Sequence, residues 1–499
     1  ILASVDMNFL NGSIRGENDA RGWMLLQHLK AWEEFDADPD NPFHGRVDWD
    51  RIALMGHSRG GEAVGHAAAF NRLSRYPDDA SLDFDFGFDI RSLVAIAPVD
   101  GQYEPADRPV PLEDVNYLVF HGSHDGDVSA FAGLRQYARV EFTGRVPAFK
   151  AAVYVYRANH GQWNSGWGAF DRGRRSPRIL ELQGLLPEED QREFGRVYIT
   201  AFLEATLKDD HRYLPLFRDH RVAGDWLPPT MYKTRFQHSS FRPVADFGED
   251  IDVTTGTAGG VRLEGEGLET WREGELVLRW RRGQDRVSQQ RFGAWLGWHR
   301  ADEGDAPRYV IRLPEGMARD WGLGDGSTLD LLVAPTDRRP PPPESDDDER
   351  PAPGDEPTSA PADDTVGIPT DEVTARVTEE APDEGDEPVD LTLELEDAAG
   401  ERAALPLSAF GPLRRPLGIR ILRRRDLERE QFPTLHEVVG HGFSLPLAEF
   451  AHVNPALDLR TLREVRLVFD QAKAGEVILT DVGFSEPGPV FLEPRVPLR

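Results

Sequence analysis

The sequence predicts an α/β fold on a mostly parallel sheet, followed by an all-β sandwich that a disordered acidic insertion interrupts. Three observations carry this. Up to about residue 220, apolar strand-like runs alternate with helical patterns, as in β-α-β units. Beyond Trp226-Leu-Pro-Pro the pattern becomes short alternating segments between glycine-rich turns. Within that second region, residues 337–390 hold 19 acidic residues against 4 arginines. Their net charge of −15 is half of the −30 of the whole chain, so this stretch cannot bury enough apolar area to offset its ordering entropy.

In the first region the strand candidates are Leu2–Met7, Arg51–Met55, Ser92–Ala97, Tyr117–His121 and Ala151–Tyr156. Helix candidates lie between them at Glu17–Glu34, Gly61–Leu73 and Ala130–Phe142, and a last one at Glu188–Lys208 opens on Pro187-Glu-Glu-Asp. Acidic residues there suit a helix N-terminus. The second region offers strands at Glu275–Arg281, Arg308–Leu313, Thr328–Val333, Leu391–Glu396, Ile419–Arg423, Val465–Phe469 and Val477–Phe484. The expected division is an α/β domain over 1–225, a linker over 226–243, a sandwich over 244–487 broken by 337–390, and a tail over 488–499. No internal repeat is evident.

Composition excludes several classes of function. A net charge of −30 argues against nucleic acid or anionic lipid as a partner. The chain has no cysteine, which removes disulfides, thiolate catalysis and cysteine metal sites. No run reaches the roughly eighteen apolar residues that span a bilayer. No histidine spacing matches a metal helix such as H-E-x-x-H.

The chemistry is concentrated in Gly56-His57-Ser58-Arg59-Gly60, a G-x-S-x-G pattern with an apolar run, Ile52 to Met55, before it and a small-residue helix pattern after it. A serine hydroxyl becomes a useful nucleophile when a strained strand-to-helix turn presents it to a histidine. Gly56 and Gly60 are expected to allow that turn, since a Cβ at either would strike the neighbouring strand or helix. Two later strands end in the complementary groups. Asn116-Tyr-Leu-Val-Phe-His-Gly-Ser-His-Asp125 runs into a turn at a carboxylate, and Phe149-Lys-Ala-Ala-Val-Tyr-Val-Tyr-Arg-Ala-Asn-His160-Gly ends in a histidine. Ser, Asp, His is the chain order such a site needs.

On these motifs, residues 1 to about 220 resemble an α/β-hydrolase catalytic domain of the dienelactone hydrolase, platelet-activating-factor acetylhydrolase and cutinase-like branch. The resemblance implies Ser58 as nucleophile, His160 as general base and then acid, Asp125 as the orienting carboxylate, and the Arg59 N–H as one oxyanion donor. It also implies that Leu2–Met7 is the fourth strand of that fold. The first three strands and the loop with the second oxyanion donor would then precede residue 1 in a truncated chain, leaving a gap in the centre of the sheet. Asp100, after Ile96-Ala-Pro-Val, is a rival acid, and Asp127 reads as a solvated loop residue. His57, Trp163 and Trp167 are candidates to line a substrate pocket, with core packing as the competing reading. His121 and His124 read as packing or hydrogen-bonding residues, and His66 as structural.

Ala245-Asp-Phe-Gly-Glu-Asp-Ile-Asp and Glu476-Val-Ile-Leu-Thr-Asp-Val-Gly-Phe-Ser bracket a region that resembles galactose-binding-like jelly rolls, the architecture of many carbohydrate-binding modules. That resemblance implies carbohydrate contact, with Trp271, Trp280, Trp295 and Trp298 as a stacking platform against the competing reading of core aromatics. Asp246 and Asp481 are its candidates for a structural calcium, though two carboxylates fall short of a full oxygen shell. No other cofactor is implied. The expected activity is hydrolysis of a small or polymeric carboxylic ester through an acyl-enzyme. The alternatives are a non-catalytic hydrolase-fold binding protein and a prolyl-oligopeptidase-type peptidase. Export from the cytoplasm follows from the resemblance alone.

Overall fold

The computed structural model describes residues 1–11, 17–144, 146–171, 176–301, 304–341 and 389–492. Most of the acidic insertion, 342–388, lies outside the described residues, as do 493–499 of the expected tail.

The first region is built on a five-stranded sheet in the spatial order β1 (Ile52–His57), β2 (Ile90–Ile96), β3 (Asn116–Gly122), β4 (Phe149–Val155), β5 (Tyr232–His238). β1 to β4 run parallel, and β5 pairs antiparallel with β4. β3 and β4 are covered on both faces, which is why Tyr117 to Phe120 and Ala151 to Val155 read as unbroken apolar runs rather than alternating ones. Helix α1 (Asn18–Ala37) crosses α2 (Arg59–Phe70) closely. A Cβ on Gly22 would stand 2.7 Å from the His66 Cβ. After the short α3 (Gly133–Arg139), α4 (Glu188–Leu207) starts at Pro187 with Glu188, Glu189 and Asp190 in its first turn. It buries Gln191, Phe194, Gly195, Tyr198, Ala201, Phe202 and Ala205, a stripe at helical spacing.

Several expectations are corrected here. Residues 2–7 form no strand: Ile1 and Leu2 are exposed, and no described strand pairs with β1 on its outer side. An apolar run without a partner for its backbone groups has nothing to hold it extended. The helix expected at Ala130–Phe142 is only the seven residues of α3. Residues 226–243 are not simply a linker, because β5 closes the edge of the first sheet and buries Tyr232, Lys233, Thr234 and Arg235. The tail also returns: Phe491 is buried against Phe236 at 4.7 Å in the core of the first region.

The second region is a sandwich of two antiparallel sheets. One has the order β8 (Thr270–Val277), β9 (Ser288–His299), β16 (Ala474–Ser485), β11 (Thr328–Pro335), β14 (His441–Pro446), with β6 (Arg242–Ala245) also on β16. The other has the order β7 (Arg262–Glu266), β10 (Arg308–Arg312), β15 (Leu462–Val468), β12 (Thr392–Asp397), β13 (Arg402–Pro406). Their inner faces interdigitate around Leu296, Trp298, Tyr309, Leu329, Leu393 and Leu467. The strand expected at Glu275–Arg281 lies earlier, at β8. That expected at Ile419–Arg423 does not form, save for a single bridge between Leu180 and Leu422. Ile419, Ile421 and Leu422 are buried in the core of the first region instead, so their apolar pattern reports a docking contact.

Candidate functional site

Parallel strands bring all their carboxyl ends to one edge, and the three residues expected to carry the chemistry follow β1, β3 and β4 there. Backbone strain collects at the same edge. Ser58 (φ 57°), Ala97 (φ 42°) and Arg157 (φ 66°) are non-glycine residues in the left-handed region after β1, β2 and β4. Each such residue costs on the order of 1–3 kcal/mol and persists where its surroundings enforce it. The Ser58 N–H donates to the Ile96 carbonyl at 2.9 Å, and its own carbonyl accepts from Gly61 N–H at 2.9 Å. Ser58 is thereby fixed between the end of β2 and the first turn of α2.

The glycine requirement differs from expectation at one position. A Cβ on Gly56 would collide with the Gly60 carbonyl, but one on Gly60 would meet open space. The second obligatory glycine is Gly61, whose Cβ would stand 2.7 Å from that of Pro98. α2 packs on the loop after β2 one residue later than the pattern implies.

Asp125 and His160 meet in the interior. His160 Nδ1 lies 2.7 Å from Asp125 Oδ2, with both side chains almost wholly buried. Burial makes the ionised Asp125 carboxylate costly. His160 and the backbone N–H groups of Asp127 (2.9 Å) and Val128 (2.6 Å), which donate to its Oδ1, offset that cost. Burial also opposes a charged His160, but the carboxylates of Asp125, Asp127 and Asp171 outweigh it and bring the imidazole up to about 9. On the far side of the ring, Nε2 is buried with no hydrogen-bond partner among the described residues. Asp127 is an exposed loop residue as expected, and its Oδ2 also stands 3.7 Å from that nitrogen. No hydrogen bond joins Ser58 to His160 in this structure, so the expected contact between nucleophile and base is not made.

His57 stacks beside the base, its ring centroid 4.6 Å from that of His160 and 5.4 Å from that of Trp167. Burial, with His160 adding to it, pushes His57 down to about 3, so it stays neutral. Trp167 is half exposed and lies 6.0 Å from His160, at the mouth of the site. Trp163 instead turns into the core against Phe120 (4.9 Å) and Phe194 (5.9 Å). His121 stacks on Phe131 at 5.2 Å, His124 hydrogen-bonds Ser123 at 2.7 Å, and His66 bonds the Asn18 carbonyl at 3.2 Å. Asp100 has a different task, holding Arg135 at 3.0 Å and Arg139 at 2.5 Å. The Arg59 N–H is the first amide of α2 and has no acceptor within its helix.

Sequence reading missed two groups at this edge. Asp171 accepts hydrogen bonds from four donors around the base and the acid. Glu62, on the first turn of α2, accepts from Asn18 and from Gln102 N–H (2.8 Å). Burial, then Asp100, raises it to about 7. No periodicity or spacing marks either residue; only Glu62's place next to the elbow was a signal.

The residues singled out in the sandwich do not come together. Trp298 is fully buried, stacked on Phe469 at 4.3 Å, and Trp271 packs edge-on to Tyr309 at 6.0 Å. The rings of Trp295 and Trp280 are covered by the guanidinium groups of Arg272 (4.1 Å) and Arg286 (4.8 Å). The four tryptophans therefore do not form one platform: Trp295 and Trp298, three residues apart on β9, point to opposite faces, and Trp280 lies beyond the end of β8. Asp481 pairs with Arg291 at 2.9 Å, and Asp246 accepts from Gly248 N–H at 3.1 Å. Neither belongs to a metal-binding group among the described residues, and the pair does not fit a calcium shell. No described helix is long and apolar enough to cross a membrane.

No protein-family model matches this chain, and neither does any curated protein. Among solved structures, it is similar to a family 30 carbohydrate-binding module of a cellulosomal cellulase of Clostridium thermocellum. That match has 7% identity and a TM-score of 0.21, over 39% of this chain and 75% of the other. A family 11 carbohydrate-binding module from the same organism matches at 8% identity and a TM-score of 0.21, over 49% and 94%. An exo-β-agarase matches at 9% and 0.23, over 50% of this chain and 25% of its own. At these scores no shared fold is drawn from them.

Proposed function

We propose that this chain is a serine hydrolase of the α/β-hydrolase fold that cleaves a carboxylic ester. The observation that carries the reading is the strained turn holding Ser58 at the same sheet edge as the buried His160–Asp125 pair. In the proposed reaction, neutral His160 takes the Ser58 proton through Nε2 as Oγ attacks the ester carbon. The resulting oxyanion accepts a hydrogen bond from the Arg59 N–H, a donor worth roughly 10²- to 10³-fold in turnover. Collapse expels the alcohol, which takes the proton back from His160 and leaves an acyl-Ser58 ester. Water, deprotonated by the same imidazole, then attacks the acyl carbon, and the acid is released as Ser58 Oγ takes that proton back from His160. Asp125 holds Nδ1–H and stabilises the imidazolium while it exists. Trp167 and His57 border the space in which the acyl or alcohol group would lie.

One observation favours a second reading, a non-catalytic scaffold. With Nε2 buried, unbonded to Ser58 and its imidazole held up to about 9, His160 is charged at neutral pH and cannot accept a proton. Labelling with a fluorophosphonate separates the two. The hydrolase reading expects a covalent adduct on Ser58 that forms faster at pH 9 than at pH 7 and disappears in Ser58→Ala. Absence of labelling across that range, or labelling that survives Ser58→Ala, overturns it.

A further inference from the structure

A single carboxylate outside the expected triad is wired to both halves of it. Asp171 Oδ1 accepts from Asn159 Nδ2 at 2.7 Å and from Gly161 N–H at 2.8 Å. Its Oδ2 accepts from Gly126 N–H at 2.8 Å and from His160 N–H at 3.1 Å. Three of these donors belong to the base and the residue on either side of it, and the fourth to the residue directly after the acid. The surroundings are shaped to admit the group: a Cβ on either Gly126 or Gly161 would come within 3.2 Å of an Asp171 oxygen. Arg157, strained at φ 66°, begins the same loop, so the loop's path needs an external tie.

We propose that Asp171 is a positioning residue of this site, holding the His160 loop and the Asp125 turn in register so that the imidazole keeps its orientation toward Ser58. This deepens the hydrolase reading and rests on it for the catalytic consequence. Four N–H donors on two oxygens require an acceptor at each, which an ionised carboxylate supplies and a carboxamide cannot. An Asn at 171 would offer one acceptor and turn its NH₂ toward two backbone donors. Asp171 acts through the base and touches no reacting atom. Its negative charge also adds to those of Asp125 and Asp127 around His160, against the neutral rings of His57 and His121.

The test uses the full chain and the variants Asp171→Asn and Asn159→Ala. The second removes one donor and keeps the test decisive if the first does not fold. Above pH 9, where His160 is neutral with or without the Asp171 charge, the fluorophosphonate labelling rate per folded molecule should fall on the order of 10- to 100-fold in Asp171→Asn, the scale of a misplaced catalytic group. The Asn159→Ala loss should be smaller. In Asp171→Asn the His160 imidazole, followed by NMR, should titrate at lower pH than in the unaltered chain, because a nearby negative charge is gone. A residue that only stabilises the fold would lower the melting temperature and leave the labelling rate of the folded molecules above pH 9 unchanged. An unchanged labelling rate above pH 9 in the folded variants overturns the proposal. If the unaltered chain does not label, the hydrolase reading fails by itself. Hydrogen exchange at the Gly126, His160 and Gly161 amides then decides: faster exchange in Asp171→Asn upholds the tie, and unchanged exchange ends it.

Discussion

The parallel sheet and the sandwich use the same kinds of side chain to opposite ends. At the carboxyl edge of the parallel sheet, Asp125 and Asp171 both bond His160, Ser58 follows another strand of the same edge, and the His160 Nε2 has no hydrogen-bond partner among the described residues. In the sandwich, charged side chains instead pair with one another across a sheet face. The outward face of one sheet is a ladder of ion pairs, in which Arg312 joins Glu264 and Glu464, Arg466 joins Glu394, Glu396 and Glu464, and Arg402 joins Glu396. The outward face of the other docks on the first region, with Leu276, Ala334 and Ile478 clustered beneath Val438. Strand direction accounts for the contrast. Parallel strands end together and release their chains into loops on one side, whereas antiparallel hairpins return at both ends and present faces.

Breaking the comparison at its strongest point means removing the acid. Asp125→Asn should reduce ester turnover by about 10⁴-fold, equivalent to about 5 kcal/mol of barrier, with the melting temperature changed far less than that loss implies. The residual rate should also show its alkaline rise at lower pH, because the carboxylate that holds His160 up is gone. A pH–rate profile of the unaltered chain should climb through about pH 9 as His160 loses its proton. The same linkage acts on stability. The His160–Asp125 pair raises His160 above its usual 6.5, so its contribution is fully present below that pH and is lost as pH rises through about 9. Thermal melts from pH 6 to 10 would read it.

The sandwich should respond in stability and not in chemistry. Trp298→Ala empties a fully buried position and should cost about 3–5 kcal/mol in chemical denaturation, with the Ser58 labelling rate of the folded fraction unchanged. A contact between the regions should show both effects in smaller measure. Glu437 is buried with its Oε1 accepting from Phe131 N–H at 2.7 Å and its Oε2 from the Tyr154 hydroxyl at 3.3 Å. Glu437→Ala should cost about 1–3 kcal/mol by stranding those donors. It should also slow labelling by loosening the segment that leads away from Asp125. The least effect is expected on the ladder, where Arg312→Ala should change stability by about 1 kcal/mol or less, and less still at high salt.

How much was legible beforehand follows the range of the interactions. The strands of the parallel sheet are visible because burial on both faces writes continuous apolar runs, and α4 because its buried stripe repeats at helical spacing. Ser58, Asp125 and His160 could be singled out because each ends its strand in the sequence itself. Trp163 and Trp167 could not be told apart, since only the packing of Phe120 and Phe194 draws the first inward. Residues 2–7 and 419–423 misled for one reason: an apolar run records that something is buried, or could be, without saying against what.

The sequence by itself determined the two architectures, their order along the chain and the three strand-end residues, because these rest on local periodicity and on which residue follows each strand. Only the tertiary structure decided that β5 and Phe491 return to the first region, that Asp127 faces the His160 Nε2, and that Asp171 ties the base to the acid. Those are contacts between residues brought together by loops, and no local pattern encodes the path a loop takes once its hydrogen bonds come from elsewhere in the fold.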